Sequence, residues 1–331
     1  MIFHTPIMAM LLASGLSSAT IVWAAGFGIR VLRHWDIESG SARQLAMERR
    51  THLVSTALVW MMVLELASLL LFVFNADRMS VMFAGSMCAV GTLNANPFGF
   101  PALMMKTAVF FGATLWLLVH RVDLKGRDYP LTRPKYGLLI AMAPLALAAA
   151  GLQLTYFLGL HADVITSCCS RLFTAEAGSI EAELAAIDPG PALLLLFGGL
   201  AVVLGLAILT RRFERAVAVY ALAAALFFVA DIAATVSAIS PYVYEHPHHH
   251  CPFCILKPEF SHVGYVIYLP LIAGTAFGLA AGLLPQRPPP ASMKTELPRI
   301  ARRYVAISAG LFAASALVAL VAIARSGLVL L

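Results

Sequence analysis

Apolar residues along this chain fall into eight long runs, which are separated by short polar or charged segments. The runs cover residues 8–32, 52–75, 102–120, 137–160, 191–210, 216–240, 263–284 and 304–324. Each run is close to the roughly 20 residues that a helix needs to cross the hydrocarbon core of a bilayer. The pattern therefore predicts an all-α integral membrane protein with about eight transmembrane helices.

The composition also indicates that lipid is the main solvent of this chain. Charged residues make up 12% of the 331 residues, whereas a soluble domain has roughly 25%. The first run follows a segment without lysine or arginine and is too long for a signal-peptide core, so we interpret it as a retained span. Residues 34–50 could form a short interfacial helix after it. No nucleotide-binding motif is present, which argues against direct nucleotide chemistry.

Basic residues are distributed unevenly among the predicted loops. The segments after helices one, three, five and seven hold 18 of the 23 lysines and arginines. Because basic loops stay in the cytoplasm, we expect both termini and the loops 76–101, 161–190 and 241–262 to face outward. This predicts a cell inner (plasma) membrane protein with these loops on the periplasmic face. The net charge of +6 then requires no nucleic acid partner, because orientation and anionic lipid explain it.

All five cysteines lie in the three outward loops, where we expect a small cysteine-bearing cap. The first loop carries Cys88, the second carries Cys168 and Cys169, and the third carries Cys251 and Cys254. Disulfides persist in an oxidising periplasm, and an odd cysteine count leaves at least one thiol outside any intramolecular disulfide. Thiols are also soft metal ligands and redox groups, so the clustering predicts metal or thiol chemistry on this face.

The third outward loop contains the densest group of candidate metal ligands. Cys251 and Cys254 form a Cys-Pro-Phe-Cys pair whose two sulfurs can converge on one ion, and neighbouring imidazoles could complete the shell. A mixed shell of this kind fits copper or zinc, and methionines near the first outward loop favour copper. The candidate ligands are Cys251, Cys254, His248, His250, His246, His262, Cys168 and Cys169.

A membrane thiol–disulfide oxidoreductase is an alternative that uses the same cysteines. In this hypothesis Cys251 attacks, Cys254 resolves, and Cys88 or the vicinal pair of the second loop relays electrons to a quinone-type carrier. Pro252 suits the first turn of a helix that would activate the first thiol, although Pro258 would limit that helix to about one turn. A second alternative is a non-catalytic accessory subunit whose loops are stapled by disulfides.

Two acidic residues, Glu65 and Asp231, lie inside predicted spans, each about ten residues from the outer end of its helix. A carboxylate in lipid is costly, so we expect each acid to face a partner or a water-filled cavity. Lys106 is the candidate ion-pair partner of Glu65. The acids could relay protons or guide cations toward the thiol loops, and a neutral hydrogen-bonded contact between helices is the alternative.

We predict a single polytopic membrane domain, 1–331, that could contain a parallel repeat of four plus four spans. Helix two carries Glu65 and helix six carries Asp231, and each is followed by a cysteine, Cys88 or Cys251, in the next outward loop. The halves 1–160 and 161–331 would then be related, as in some transporters. Chance similarity between apolar helices is the alternative explanation.

The sequence thus favours a membrane protein that binds or hands over a soft transition metal, copper before zinc, through its outward Cys/His loops. The expected partners are the lipid bilayer and a periplasmic metal- or thiol-carrier protein. Haem is disfavoured, because no Cys-x-x-Cys-His motif is present and no histidine lies in the middle of a predicted span. The sequence does not decide whether the chain is an enzyme.

Overall fold

The computed structural model of the chain describes residues 4–126, 128–161, 164–166, 186–284 and 291–330. Within these ranges the protein is helical and contains no strand. Eight of its helices are long and apolar enough to cross a membrane, which confirms the predicted spans. Cys168 and Cys169 lie outside the described residues, as does most of the second cysteine-bearing loop.

The chain divides into two compact units, each of which contains four of the long helices. Unit 1 comprises Met1–Thr166 with Pro290–Met293, and unit 2 comprises Ser167–Pro289 with Lys294–Leu331. The relation between the halves of the chain as a repeat stays a prediction.

In unit 1 the long helices follow one another around a closed ring of four. Helix α1 packs on α2, α2 on α4, α4 on α5, and α5 on α1. The ring encloses a core of buried aromatic and aliphatic side chains that includes Trp116 and Tyr136. The helices are α1 (Thr5–His34), α2 (Ala42–Met79), the short α3 (Ala89–Leu93), α4 (Gly99–Asp123) and α5 (Thr132–Leu158).

Unit 2 has the same sequential order of packing. Helix α6 packs on α7, α7 on α9, α9 on α10, and α10 on α6. A π-helical turn, Thr235–Ile239, joins α7 to α8, so that one continuous span runs over Ala216–Tyr244. The helices are α6 (Pro189–Leu209), α7 (Ala216–Ala234), α8 (Ser240–Tyr244), α9 (Val263–Leu283) and α10 (Glu296–Arg325).

Glycines allow neighbouring helices to approach closely in both units. A methyl group at Gly278 would lie 2.6 Å from the Cβ of Ala224 and 3.0 Å from the hydroxyl of Ser308, and one at Gly112 would lie 2.9 Å from Met142. Lipid tails are as apolar as leucine, so helices in a membrane associate through such close packing rather than through the hydrophobic effect. These positions therefore mark where the rings are held together.

Large apolar side chains cover the exposed faces of the long helices. A monomeric soluble protein rarely exposes a contiguous apolar surface of this extent. The surface instead suits contact with a lipid bilayer. Examples of these exposed side chains are Leu12, Trp23, Leu53, Trp60, Leu194 and Leu222.

Helix α2 begins about ten residues before the apolar run that predicts it. The Ser41 hydroxyl caps its first turn by accepting a hydrogen bond from the backbone N–H of Gln44 at 3.2 Å. The prediction of a separate interfacial helix over 34–50 was therefore wrong. The segment Ile37–Ser39 is a single 3-10 turn, and residues 42–50 form the first turns of α2.

Candidate metal centre and membrane-embedded acids

Two cysteines of the third outward loop bring their sulfur atoms together. Cys251 and Cys254 of unit 2 place their Sγ atoms within 4.8 Å of each other. The side chains are buried, with exposed fractions of 0% and 7% respectively. These two residues, which we name the cysteine pair, could contribute to a metal site. Cys88 is buried in unit 1, and its role as an electron relay or a disulfide partner stays a prediction.

The backbone around Cys88 is fixed by the start of α3. The carbonyl oxygen of Cys88 accepts hydrogen bonds from the N–H of Gly91 at 3.0 Å and from the hydroxyl of Ser86 at 3.2 Å. The Tyr156 hydroxyl of α5 donates to the carbonyl of Thr92 in the same short helix at 3.0 Å. These bonds hold α3, and with it Cys88, within unit 1.

Two tyrosines of unit 2 fix the backbone of the Cys-Pro-Phe-Cys segment. The hydroxyl of Tyr244 donates to the carbonyl of Cys251, and the hydroxyl of Tyr268 donates to the carbonyl of Pro252 at 2.8 Å. A 3-10 turn then spans Cys254–Leu256. The redox hypothesis needs a helix N-terminus after the first thiol, and a turn of three residues does not supply the aligned peptide dipoles of an α-helix.

The candidate histidines do not join the cysteine pair. Among the described residues, no imidazole nitrogen belongs to a group of ligand atoms within 4.8 Å that contains the sulfurs of Cys251 and Cys254. His246 and His248 are exposed, and the Nδ1 of His246 accepts a hydrogen bond from the N–H of His248 at 3.3 Å. His262 is also exposed and donates from Nδ1 to the carbonyl of Leu256 at 2.7 Å. Their role as ligands stays a prediction.

His250 is the candidate histidine whose chemical state best suits a metal. Its Nδ1–H donates to the carbonyl of Val236 at 3.0 Å, so Nε2 keeps its lone pair. Burial lowers the pKa of the His250 imidazole below its usual value, which favours the neutral form that binds metal ions. The carbonyl of Val236 belongs to the π-helical turn, so this bond connects the loop to the spanning helix.

Glu65 lies in a buried polar cluster of unit 1. Its carboxylate accepts a hydrogen bond from the Ser17 hydroxyl of α1. One turn further along α2, the Ser68 hydroxyl accepts a hydrogen bond from the Nζ of Lys106 at 2.7 Å. Lys106 is 2% exposed and lies close enough to Glu65 for an electrostatic interaction. The predicted pairing therefore takes the form of a cluster in which Ser68 holds the ammonium group. Sequence reasoning missed Ser17, although α1 carries three buried serines in an apolar helix.

Asp231 has a different environment in unit 2. It is 2% exposed, and its Oδ1 accepts a hydrogen bond from the Thr235 hydroxyl at 3.3 Å. Its Oδ2 is buried and has no hydrogen-bond partner among the described residues. Glu65 and Asp231 lie seventeen and thirteen residues before the ends of their spans at Met82 and Tyr244.

A second buried charge pair in unit 1 was missed by the sequence analysis. The Nζ of Lys135 lies 2.7 Å from Oδ2 of Asp123, and the two side chains are 3% and 0% exposed. Asp123 also accepts hydrogen bonds from the N–H of Leu131 at 2.8 Å and from the hydroxyl of Thr132 at 3.3 Å. Lys135 was predicted to be one of the loop cations that set orientation, but it lies inside α5.

No protein-family model, curated protein or solved structure gives a significant match to this chain.

Proposed function

We propose that this protein binds a soft transition metal ion, copper before zinc, through Cys251 and Cys254. The observation that carries the proposal is the cysteine pair, in which two buried sulfur atoms lie within 4.8 Å of each other. Thiolates are the side-chain ligands that Cu(I) prefers, and they also bind zinc. Burial keeps competing water away from an ion held there.

The spacing of the two sulfurs suits a single ion. Two thiolates bound to one ion, each at about 2.3 Å, lie at most about 4.6 Å apart. The sulfurs of Cys251 and Cys254, at no more than 4.8 Å from each other, are therefore close enough to bind one ion together. Structural zinc takes four ligands, and Nε2 of His250 is the candidate third ligand.

On this proposal the metal is exchanged on the periplasmic face with a carrier protein. The uneven distribution of lysine and arginine supports the orientation. The exposed imidazoles of His246 and His248 lie in the same loop as Cys251 and are accessible to an incoming ion. Each thiol that binds the metal gives up a proton, so uptake is accompanied by proton release.

The thiol–disulfide alternative, with a quinone-type carrier, has less support. Two neighbouring sulfurs, those of Cys251 and Cys254, would also permit disulfide exchange. However, the first thiol of such an enzyme is activated by a helix N-terminus or a nearby cation, and Cys254–Leu256 is a 3-10 turn of three residues. The metal proposal needs no activated thiol, because metal binding itself displaces the thiol proton.

The test is metal binding by protein that is purified anaerobically without a chelator or a polyhistidine tag. We expect about one equivalent of copper(I) per chain, measured by plasma mass spectrometry and by competition with a colorimetric copper(I) chelator. The Cys251→Ser/Cys254→Ser variant should lose this equivalent.

A matched control comes from the other cysteine pair of the chain. The Cys168→Ser/Cys169→Ser variant removes the same number of thiols and should keep the first equivalent of copper. Full affinity in the Cys251→Ser/Cys254→Ser variant would overturn the proposal. So would reduced wild-type protein that takes up neither copper nor zinc, and this result would favour thiol redox chemistry or disulfide stapling.

A further inference from the structure

The carboxyl group of Asp231 lies in the membrane-spanning part of unit 2, without a counter-charge among the described residues. It is 2% exposed, and one of its oxygens has no hydrogen-bond partner among the described residues. No lysine, arginine or histidine forms an ion pair with it in the described part of the chain. An ionised carboxylate in such a place is strongly disfavoured, so the group needs either a cation or a proton.

The titratable groups around Asp231 do not supply a cation. Helix α6, which packs on α7, contains no titratable side chain. In α9 the nearby group is Tyr268, which lies within electrostatic range of both Asp231 and Cys251. In α10 the apolar stretch between Tyr304 and Arg325 contains no titratable residue. On the span of Asp231 itself, the titratable residues are tyrosines, such as Tyr220.

The donor atoms near Asp231 are oxygens, and few of them are in reach. The single polar side-chain contact of the carboxyl group is with the Thr235 hydroxyl. Copper(I) prefers sulfur, and the hard cations calcium and magnesium need about six or more oxygen ligands, including waters. One carboxyl group and one hydroxyl fall well short of such a shell, whereas they suffice for a proton.

The regular α-helix of this span is interrupted by a π-helical turn that begins at Thr235. The π-helical turn Thr235–Ile239 carries the hydroxyl of Ser237, and the buried hydroxyl of Ser240 at its end has no hydrogen-bond partner among the described residues. His250 donates to a carbonyl of the same turn. Single π-helical turns within α-helices are frequent at functional sites. Polar groups thus continue from Asp231 toward the loop.

We propose that Asp231 is a proton-binding site, whose carboxyl group is protonated in the resting protein and exchanges this proton with bulk water. The proton is taken up by a carboxylate oxygen to give the neutral acid, and it returns to water when the acid ionises. The proposal is independent of the metal-binding function, because neither its evidence nor its test involves metal binding by the cysteines.

Infrared spectroscopy of the full chain in lipid nanodiscs tests this site directly. Exposed aspartates and glutamates are ionised at neutral pH, so the C=O stretch of a protonated carboxyl group reports buried acids. We expect this band in the wild-type protein and its loss in the Asp231→Asn variant. In D₂O the band should shift to lower frequency, because the proton exchanges with solvent.

Two further variants keep the test decisive. Glu65→Gln is the matched control and should retain the band, since Glu65 lies within electrostatic range of the ammonium group of Lys106. Asp231→Glu keeps a carboxyl group and should move the band, which remains informative if Asp231→Asn fails to fold. Absence of the band in the wild type, its survival in Asp231→Asn, or its loss in Glu65→Gln would overturn the proposal. A band that does not shift in D₂O would overturn the exchange with bulk water.

Discussion

Unit 1 buries Glu65 and Asp123 beside cations, whereas unit 2 buries Asp231 with no cation next to it in the part of the unit that the structure describes. In unit 1, Asp123 forms an ion pair with Lys135, and Glu65 shares a polar cluster with Lys106. In unit 2, the carboxyl group of Asp231 has one hydrogen bond, which Thr235 donates. Both units are rings of four helices with the same order of packing, so the difference lies in the polar residues and not in the architecture.

This difference separates two roles of a buried acid. A charge that is paired and hydrogen-bonded contributes to a specific arrangement, and removal of one partner leaves the other uncompensated. An acid without a counter-charge contributes little that a neutral isostere would not, so stability does not explain its presence. The sequence predicted the same role for Glu65 and Asp231, whereas the two acids differ in their hydrogen-bond partners and in the charges near them.

The largest effect is expected at the buried ion pair of unit 1. Asp123→Asn should lower the free energy of unfolding by about 3–5 kcal/mol, because it leaves the ammonium group of Lys135 buried without a counter-charge. Chemical denaturation in mixed micelles measures this change. Asp123→Asn/Lys135→Met should recover much of the loss, and a single variant as stable as the wild type would contradict the interpretation.

Unit 2 supplies the matched control for that measurement. Arg299 and Glu296 form an ion pair at 2.9 Å on α10, with side chains that are 76% and 49% exposed. Exposed pairs of this kind contribute about 0–1 kcal/mol. Glu296→Gln should therefore have a small effect on stability. An effect as large as that of Asp123→Asn would show that burial is not what distinguishes the two pairs.

A smaller loss is expected for Glu65→Gln. The substitution removes the negative charge near Lys106 and weakens the acceptor of the Ser17 hydrogen bond, which should cost about 1–3 kcal/mol. Lys106 keeps its hydrogen bond to Ser68, so the loss should be less than at Asp123. The same denaturation experiment measures it, and Glu65→Gln/Lys106→Met should be more stable than Glu65→Gln if the lost charge is the cause.

The smallest effect on stability is expected for Asp231→Asn. Asparagine is isosteric with the acid, and its carbonyl oxygen can still accept the hydrogen bond from Thr235. The free energy of unfolding should therefore change by less than about 1 kcal/mol. Measured beside Glu65→Gln, this variant tests the contrast between the units directly. A larger loss at Asp231 than at Glu65 would reverse it.

The sequence predicts the helices well because crossing a bilayer requires long apolar runs, and these are visible without knowledge of packing. It places helix ends less well. Helix α10 begins at Glu296, before the apolar run at 304, because backbone hydrogen bonding continues beyond the part of a helix that contacts lipid. Lys135 was misplaced for the same reason, since a hydropathy pattern cannot distinguish a loop cation from one buried against Asp123.

The candidate site is less predictable, because it depends on contacts between distant parts of the chain. The pair Cys251 and Cys254 could be recognised from its spacing, but nothing in the sequence indicates that Tyr244 and Tyr268 hold the backbone of this segment. The pairing of Glu65 with Lys106 was predicted from chemical type, whereas the contribution of Ser17 was not. Spacing along a chain reveals neighbours within one loop or one helix turn, and it carries no information about which loops meet.

The π-helical turn Thr235–Ile239 makes the orientation of the following residues depend on the length of one span. Such a turn accommodates one more residue than the regular helix would. Deletion of one residue there would restore the α-helical repeat, whereas deletion of one residue from the regular part of α7 would rotate everything beyond it by about 100° about the helix axis. Tyr244 holds the backbone of Cys251, so that rotation would turn this tyrosine away from its present position. The orientation of the Cys-Pro-Phe-Cys segment of unit 2 therefore depends on the number of residues in the span Ala216–Tyr244 as well as on their identity.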